Sequence, residues 1–154
     1  MSTSIAHALR RVVRDDSGNA IVEFVYLAIL LMIPLVYLLL TVFRIQGAAY
    51  AVSGAAREAG RVYVASDPAE GAPVRAVAAA SLVMSDGGFK LDPDQLEFIC
   101  SADPCRTPGA TIAVDIDYAV GLPFLPRLLG DDAPAAIRVR GRHLEVVDRF
   151  RDSR

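Results

Sequence analysis

The sequence predicts an α+β fold: a long N-terminal helix that crosses a membrane, a short second helix, and a small antiparallel sheet of about three strands. An uninterrupted apolar run near the start predicts the first part, and a change to two-residue alternation near the end predicts the last. The composition agrees, because 53% of the residues are hydrophobic and the mean hydropathy is +0.37. A chain of 154 residues has room for one span and one small domain.

The apolar run, Phe24 to Phe43, contains no charged residue in twenty positions. At about 1.5 Å per helical residue it reaches roughly 30 Å, the thickness of a bilayer hydrocarbon core. Pro34 is the one helix breaker inside the run, and membrane helices tolerate such a kink when neighbouring groups supply the lost contacts. The run therefore predicts one transmembrane span over residues 24–43.

The helix is expected to continue beyond the membrane, over 19–65, because no proline follows Arg44 until Pro68. Small side chains recur at every fourth position of this extension, and we call them the small ridge. Such ridges let helix backbones approach closely. The sequence leaves two roles open, which can hold together: packing between neighbouring chains, and packing on the domain's own core. The small ridge consists of Gly47, Ala51, Ala55 and Ala59.

Residues 66–154 are expected to form the α+β domain. A second helix is predicted from Pro73, which suits a first helical turn, to Met84, with Gly87 and Gly88 ending it. Beyond Gln95 the apolar residues alternate with a period of two, as in half-buried strands. The three strands are predicted around 96–100, 112–120 and 137–141.

The two cysteines, Cys100 and Cys105, are separated by four residues that include Asp103-Pro104, a sequence that can turn the chain back. We expect a disulfide, which would stabilise the fold by about 2 kcal/mol in the chain-entropy model. Free buried thiols are an alternative, and zinc is a weaker one because no second Cys or His pair completes four ligands. A disulfide places the domain outside the cytosol.

Two carboxylates on the predicted middle strand, Asp115 and Asp117, point to the same side. Arg138 and Arg140 follow at matching spacing on the next strand, so cross-strand ion pairs are favoured over cation binding or catalysis. No nucleophile triad, zinc signature or phosphate-binding loop is found, so we expect no enzyme, cofactor, metal or small-molecule substrate. The net charge of −2 also argues against nucleic acid as a partner. The apolar loop at 121–126 either caps the core or contacts a partner.

Three interpretations compete for the N-terminal segment. A secretory signal peptide cut near Ala49–Ala51 would need a shorter apolar run and would carry Arg44 before the cut. An uncleaved single-pass anchor is the second. The third is a cut after Gly18, which lies five positions before Glu23. Loop charge does not fix the orientation, because three arginines lie on each side of the run: Arg10, Arg11 and Arg14 before it, and Arg44, Arg57 and Arg61 after it.

The sequence DDSGNAIVEF around Gly18 resembles the prepilin-peptidase site of type IV pilins, a glycine followed five positions later by glutamate. Glu23-Phe24 before the apolar run, and Ala-Ala-Arg-Glu-Ala at 55–59, resemble the TadE family of Tad (type IVc) pilus proteins. The resemblance implies that residues 1–18 are a cytoplasmic leader and that Asn19 becomes the first residue. Glu23 would then pair with the α-amine of Asn19 on a neighbouring subunit. Without such a neighbour, Glu23 would reach only headgroup water.

The resemblance implies a minor pilin or pseudopilin of a Tad-type pilus, which starts or tips a fibre or supports its assembly. Its partners would be the membrane, a prepilin peptidase, other pilin subunits and the assembly machinery. The N-terminus would be cytoplasmic and the C-terminal domain extracytoplasmic. Two other classes remain open: an uncleaved single-pass protein whose outer domain binds a ligand or partner, and a secreted soluble protein.

Overall fold

A computed structural model describes residues 16–67, 69–122 and 136–150, and for residues 16–19 and 69 the backbone alone. It contains two helices, α1 (Asp16–Ala65) and α2 (Ala72–Asp86), and three strands, β1 (Leu96–Cys100), β2 (Thr111–Gly121) and β3 (Ala136–Val146). Short 3-10 turns precede α2 and β1, at Ala69–Gly71 and Pro93–Gln95. The architecture confirms the predicted α+β fold with one long N-terminal helix.

The chain divides into two compact units, Met1–Leu40 and Thr41–Arg154. The described part of the first unit is entirely the N-terminal half of α1. The second unit contains the rest of α1, α2 and the sheet. The folded domain therefore begins inside the helix and not after it.

The sheet has the order β1-β2-β3, and both pairs are antiparallel. As the alternation predicts, the side chains of Ile112, Val114 and Ile116 are buried on the inner face. Ala113 is the exception, because it faces outward yet is only 4% exposed. Its register partners on either side, Ile99 and Leu144, are larger and cover it.

The core lies between the sheet and the helices. Helix α2 buries one residue per turn, and the predicted stop is found, since α2 ends at Asp86 and Gly88 follows with φ +76°. Most of the helical core residues are alanines, so the larger residues of the sheet fill the space between the layers. The fully buried helical residues are Ala48, Val52, Ala55, Ala56, Ala59, Ala72, Ala76, Ala80 and Met84.

Helix α1 lies directly on the sheet at Gly141. A Cβ atom at this glycine would lie 2.6 Å from Val52 Cγ1 and 3.2 Å from the Val52 carbonyl oxygen. Two turns further along the helix, a Cβ at Gly60 would lie 3.3 Å from Glu145 Cβ and His143 Cδ2. At both glycines, α1 and β3 are so close that a larger side chain would force the neighbouring atoms to move.

We expect Gly141→Ala to lower the free energy of unfolding by about 1–3 kcal/mol, because the added methyl group overpacks the contact with Val52. Thermal or chemical unfolding of the detergent-solubilised chain measures the change. The matched control is Gly121→Ala at the end of β2, where an added Cβ would meet nothing within 4 Å, so its effect should stay within about 0.5 kcal/mol. Equal losses in both variants would contradict the close-contact explanation.

Candidate functional site

The apolar run forms an exposed helical surface. Within it Ala28, Tyr37 and Thr41 are half-buried, and the other side chains are exposed, with Leu31 the most at 73%. A large contiguous apolar surface marks contact with lipid or with a protein partner. By length and composition, the helical stretch Ala20–Ala65 could cross a membrane. A signal sequence near an N-terminus would satisfy the same criterion, so the flanking residues must distinguish the possibilities.

Glu23 is exposed one residue before the apolar run. Gly18 and Asn19 lie in α1 as well, and Asn19 precedes Glu23 by four residues, about 6 Å along the helix axis. Residues four apart lie on the same helix face. In an uncut chain Asn19 carries no positive charge, so the charged partner that the resemblance to pilins implies for Glu23 requires cleavage after Gly18.

The small ridge packs against the domain of its own chain. Ala55 and Ala59 are fully buried, Ala51 is 9% exposed, and a Cβ at the exposed Gly47 would lie 3.9 Å from the Phe89 ring. Of the two roles that the sequence left open, the structure therefore shows packing on the domain's own core. This packing leaves the apolar run as the exposed apolar surface of α1.

The same packing disfavours a secretory cut near Ala49–Ala51. These residues are helical, and the flanking Ala48 and Val52 are fully buried. A cut here would remove Ala48 from the core.

Arg44, the first charged residue after the apolar run, is fixed by two contacts. Its Nε atom donates a hydrogen bond to the Gly121 carbonyl oxygen at 3.3 Å, and its guanidinium carbon lies 5.6 Å from the centroid of the Phe89 ring. Cation–π contacts of this kind favour a cation over an aromatic face. The Phe89 ring also packs edge-on against Tyr118, at 5.8 Å between centroids. These two contacts of Arg44 are not predicted from the sequence, where the signal is its place as the first charged residue after the apolar run.

Cys100 and Cys105 are joined by a disulfide, which confirms the prediction and leaves no free cysteine. The bond closes the turn between β1 and β2. The same turn is held by backbone hydrogen bonds, in which Ser101 N–H donates to Thr111 O at 2.9 Å and Thr107 N–H donates to Pro104 O at 3.0 Å. Among the residues that the structure describes, no group of three or more His, Cys, Asp or Glu side chains is placed to hold a metal ion.

The two strand carboxylates form cross-strand ion pairs, as the sequence predicts. Asp117 accepts from Arg140 Nε at 3.0 Å and lies 3.4 Å from Arg138 Nη1, whereas Asp115 lies 3.5 Å from Arg142 Nε. The register explains the pairing, because Asp115 stands opposite Arg142 and Asp117 opposite Arg140. Arg142 is an addition to the arginines predicted for this cluster, Arg138 and Arg140.

Two further pairs lie within single elements. On α1, Arg61 Nε donates to Glu58 Oε2 at 2.9 Å, and this hydrogen bond lowers the pKa of Glu58 and raises that of Arg61. On β3, His143 Nε2 and Glu145 Oε2 are 3.0 Å apart and half-buried beside Gly60. Neither pair resembles a catalytic arrangement with a positioned nucleophile.

Two parts of the sequence prediction lie outside the described residues. These are the leader arginines Arg10, Arg11 and Arg14, and residues 123–126 of the apolar loop after β2. The loop's first two residues, Gly121 and Leu122, are exposed and half-buried respectively.

Comparison with known proteins assigns no family to the chain. No protein-family model, no curated protein and no solved structure matches it. Its function must therefore be inferred from the arrangement of its own residues.

We expect the double variant Cys100→Ser/Cys105→Ser to lower the free energy of unfolding by about 2 kcal/mol, because the unfolded chain regains the entropy of a short loop. Denaturant unfolding of the purified chain measures the loss. The control is the unaltered protein with excess reductant, which should lose a similar amount. An unchanged midpoint in both samples would mean that the turn is held by its hydrogen bonds alone.

Proposed function

We propose that this chain is a minor pilin or pseudopilin of a Tad-type pilus, cut by a prepilin peptidase and used in the initiation, assembly or tip of the fibre. Its N-terminus would be cytoplasmic and its α+β domain extracytoplasmic. The observation that carries the proposal is Glu23, the exposed carboxylate immediately before the apolar run, placed five positions after Gly18.

The distribution of exposure along α1 supports this proposal. The apolar run is exposed, whereas the small residues that follow it are buried in the domain. A subunit built in this way keeps one half of its helix for lipid or other subunits and uses the other half to hold its domain. The disulfide supports an extracytoplasmic domain, because disulfides persist in oxidising compartments.

The chemistry of assembly would depend on two groups. Cleavage after Gly18 creates an α-amine at Asn19, where the partial positive charge of a helix N-terminus already lies. An ionised Glu23 near the membrane is costly unless it finds a partner. The amine of one subunit and the carboxylate of its neighbour would each neutralise the other, so assembly removes two unfavourable charges in one contact.

The first test is the N-terminus of the protein purified from its native membrane. Intact mass and N-terminal sequencing should show a start at Asn19, and Gly18→Ala should abolish that cut because the peptidase requires the glycine. Gly47→Ala is the matched control, since this glycine lies in the same helix with room for a methyl group. A start at Met1 or Ser2 would favour the uncleaved anchor, and a start near Val52 would show a secreted domain. Either result would overturn the proposal.

The second test separates assembly from cleavage. Glu23→Gln keeps the shape of the side chain and removes its charge. We expect a normal cut but at least about a tenfold loss of chain recovered with the pilus fraction, since a lost membrane ion pair costs more than about 1.4 kcal/mol. Glu70→Gln, which changes an exposed carboxylate in the turn before α2, is the control. Equal recovery of both variants would remove Glu23 from the assembly mechanism.

A further inference from the structure

On the outer face of the sheet, two neighbouring rows of side chains cross the three strands from the β1 edge to the β3 edge. One row runs Ile99–Ala113–Leu144, and its ends are exposed by 43% and 58%. The adjacent row runs Glu97–Asp115–Arg142, and its two ends carry opposite charges. At each edge, this face therefore presents one apolar residue beside one charged residue.

Both edge strands have only one strand neighbour among the described residues. Strand β3 is the longer, with eleven residues against five in β1. An edge strand offers unpaired N–H and C=O groups that can bind another extended strand. Arg138, Arg140 and Arg142 are exposed beside the β3 edge, whereas Asp92, Asp94 and Glu97 are exposed on and before β1.

The bilayer is a poor partner for the apolar ends of these rows. A Cβ at Gly60 would lie 3.3 Å from His143 and Glu145, which flank Leu144, and Gly60 follows the end of the apolar run by seventeen residues. In a helix that distance is about 25 Å. In the proposed membrane orientation this distance favours a protein over the bilayer as the partner of Leu144.

Charge selects among the possible pairings of one copy with another. A two-fold contact between two β3 strands would set arginines opposite arginines, which is unfavourable. A contact between β3 and the β1 strand of a second copy would instead place Arg142 beside the second Glu97. The same register places Leu144 beside the second Ile99, so the charged and apolar rows both continue.

We propose that β3 of one copy binds β1 of the next, with Arg142 beside Glu97 and Leu144 beside Ile99. Strands β1 and β3 run in the same direction, because both are antiparallel to β2. The contact is therefore a parallel pairing, and the twist of successive strands turns each copy relative to the last. The choice of a protein over the bilayer as the partner rests on the proposed function, whereas the pairing of the edges rests on the sheet. Because the contact is head-to-tail, it does not close at two copies.

The test is disulfide cross-linking of the full chain in its native membrane with Glu97→Cys/Arg142→Cys. Within one chain these positions lie on either side of β2, about 10 Å apart, too far for a disulfide. We expect a ladder of linked dimers and larger species on a non-reducing gel. The matched off-register control is Glu97→Cys/Arg138→Cys, and the single variants show whether both sulfurs are needed. The on-register variant should give about tenfold more linked chain, because only there are the sulfurs held together at high effective concentration.

Equal linking in the on-register and off-register variants would overturn the proposal. So would a dimer formed by Arg140→Cys alone, which would show the two-fold β3 contact. If the added cysteines disturb the native disulfide, charge reversal replaces them: Arg142→Glu should lose chemical cross-linking between copies, and Glu97→Arg/Arg142→Glu should recover it. Failure of that recovery would also overturn the proposal. N-terminal sequencing of the same samples reports the prepilin cut separately, so the edge contact and the proposed function can fail independently.

Discussion

The domain depends on how closely α1 can lie on the sheet. At Gly141 the helix backbone itself reaches the strand, because the glycine leaves no side chain between Val52 and β3. The alanines of α1 and α2 serve the same purpose on the helical side of the core. Glycine and alanine bury little apolar surface. The valines, the isoleucines and Met84 around them must therefore supply most of the apolar contact. The disulfide adds stability where a small core gives little.

One helix serves two environments in succession. In its first half, the exposed side chains are large and apolar, and no described residue of the first unit covers them. In its second half, the small residues face the core, while Arg57 and Arg61 face outward. The change falls close to Arg44, whose guanidinium binds the end of β2 and the Phe89 ring. The residue types thus change where the helix passes from an exposed to a buried surface.

Much of the fold could be predicted from local signals. Short-range rules predict these elements. The apolar run predicts α1, Pro73 with Gly87 and Gly88 bounds α2, and the alternation from Ile112 to Val120 predicts β2. Whether the small ridge packs on its own domain or on another chain could not be predicted, because a small residue suits either contact equally well. Arg142 and Asp115 form a pair that only the register reveals, and the contact between Val52 and Gly141 joins residues distant in sequence. The proposed role of Glu23 depends on a cut after Gly18, so it rests on chemistry that the folded chain alone does not contain.

The way in which residues 52–60 of α1 lie on β3 has a mechanical consequence. A load along this part of the helix would act parallel to the interface, across the close approaches of Val52 to Gly141 and of Gly60 to His143 together. These approaches would share the strain rather than break one at a time, so the sheet would resist being pulled off this part of the helix in shear.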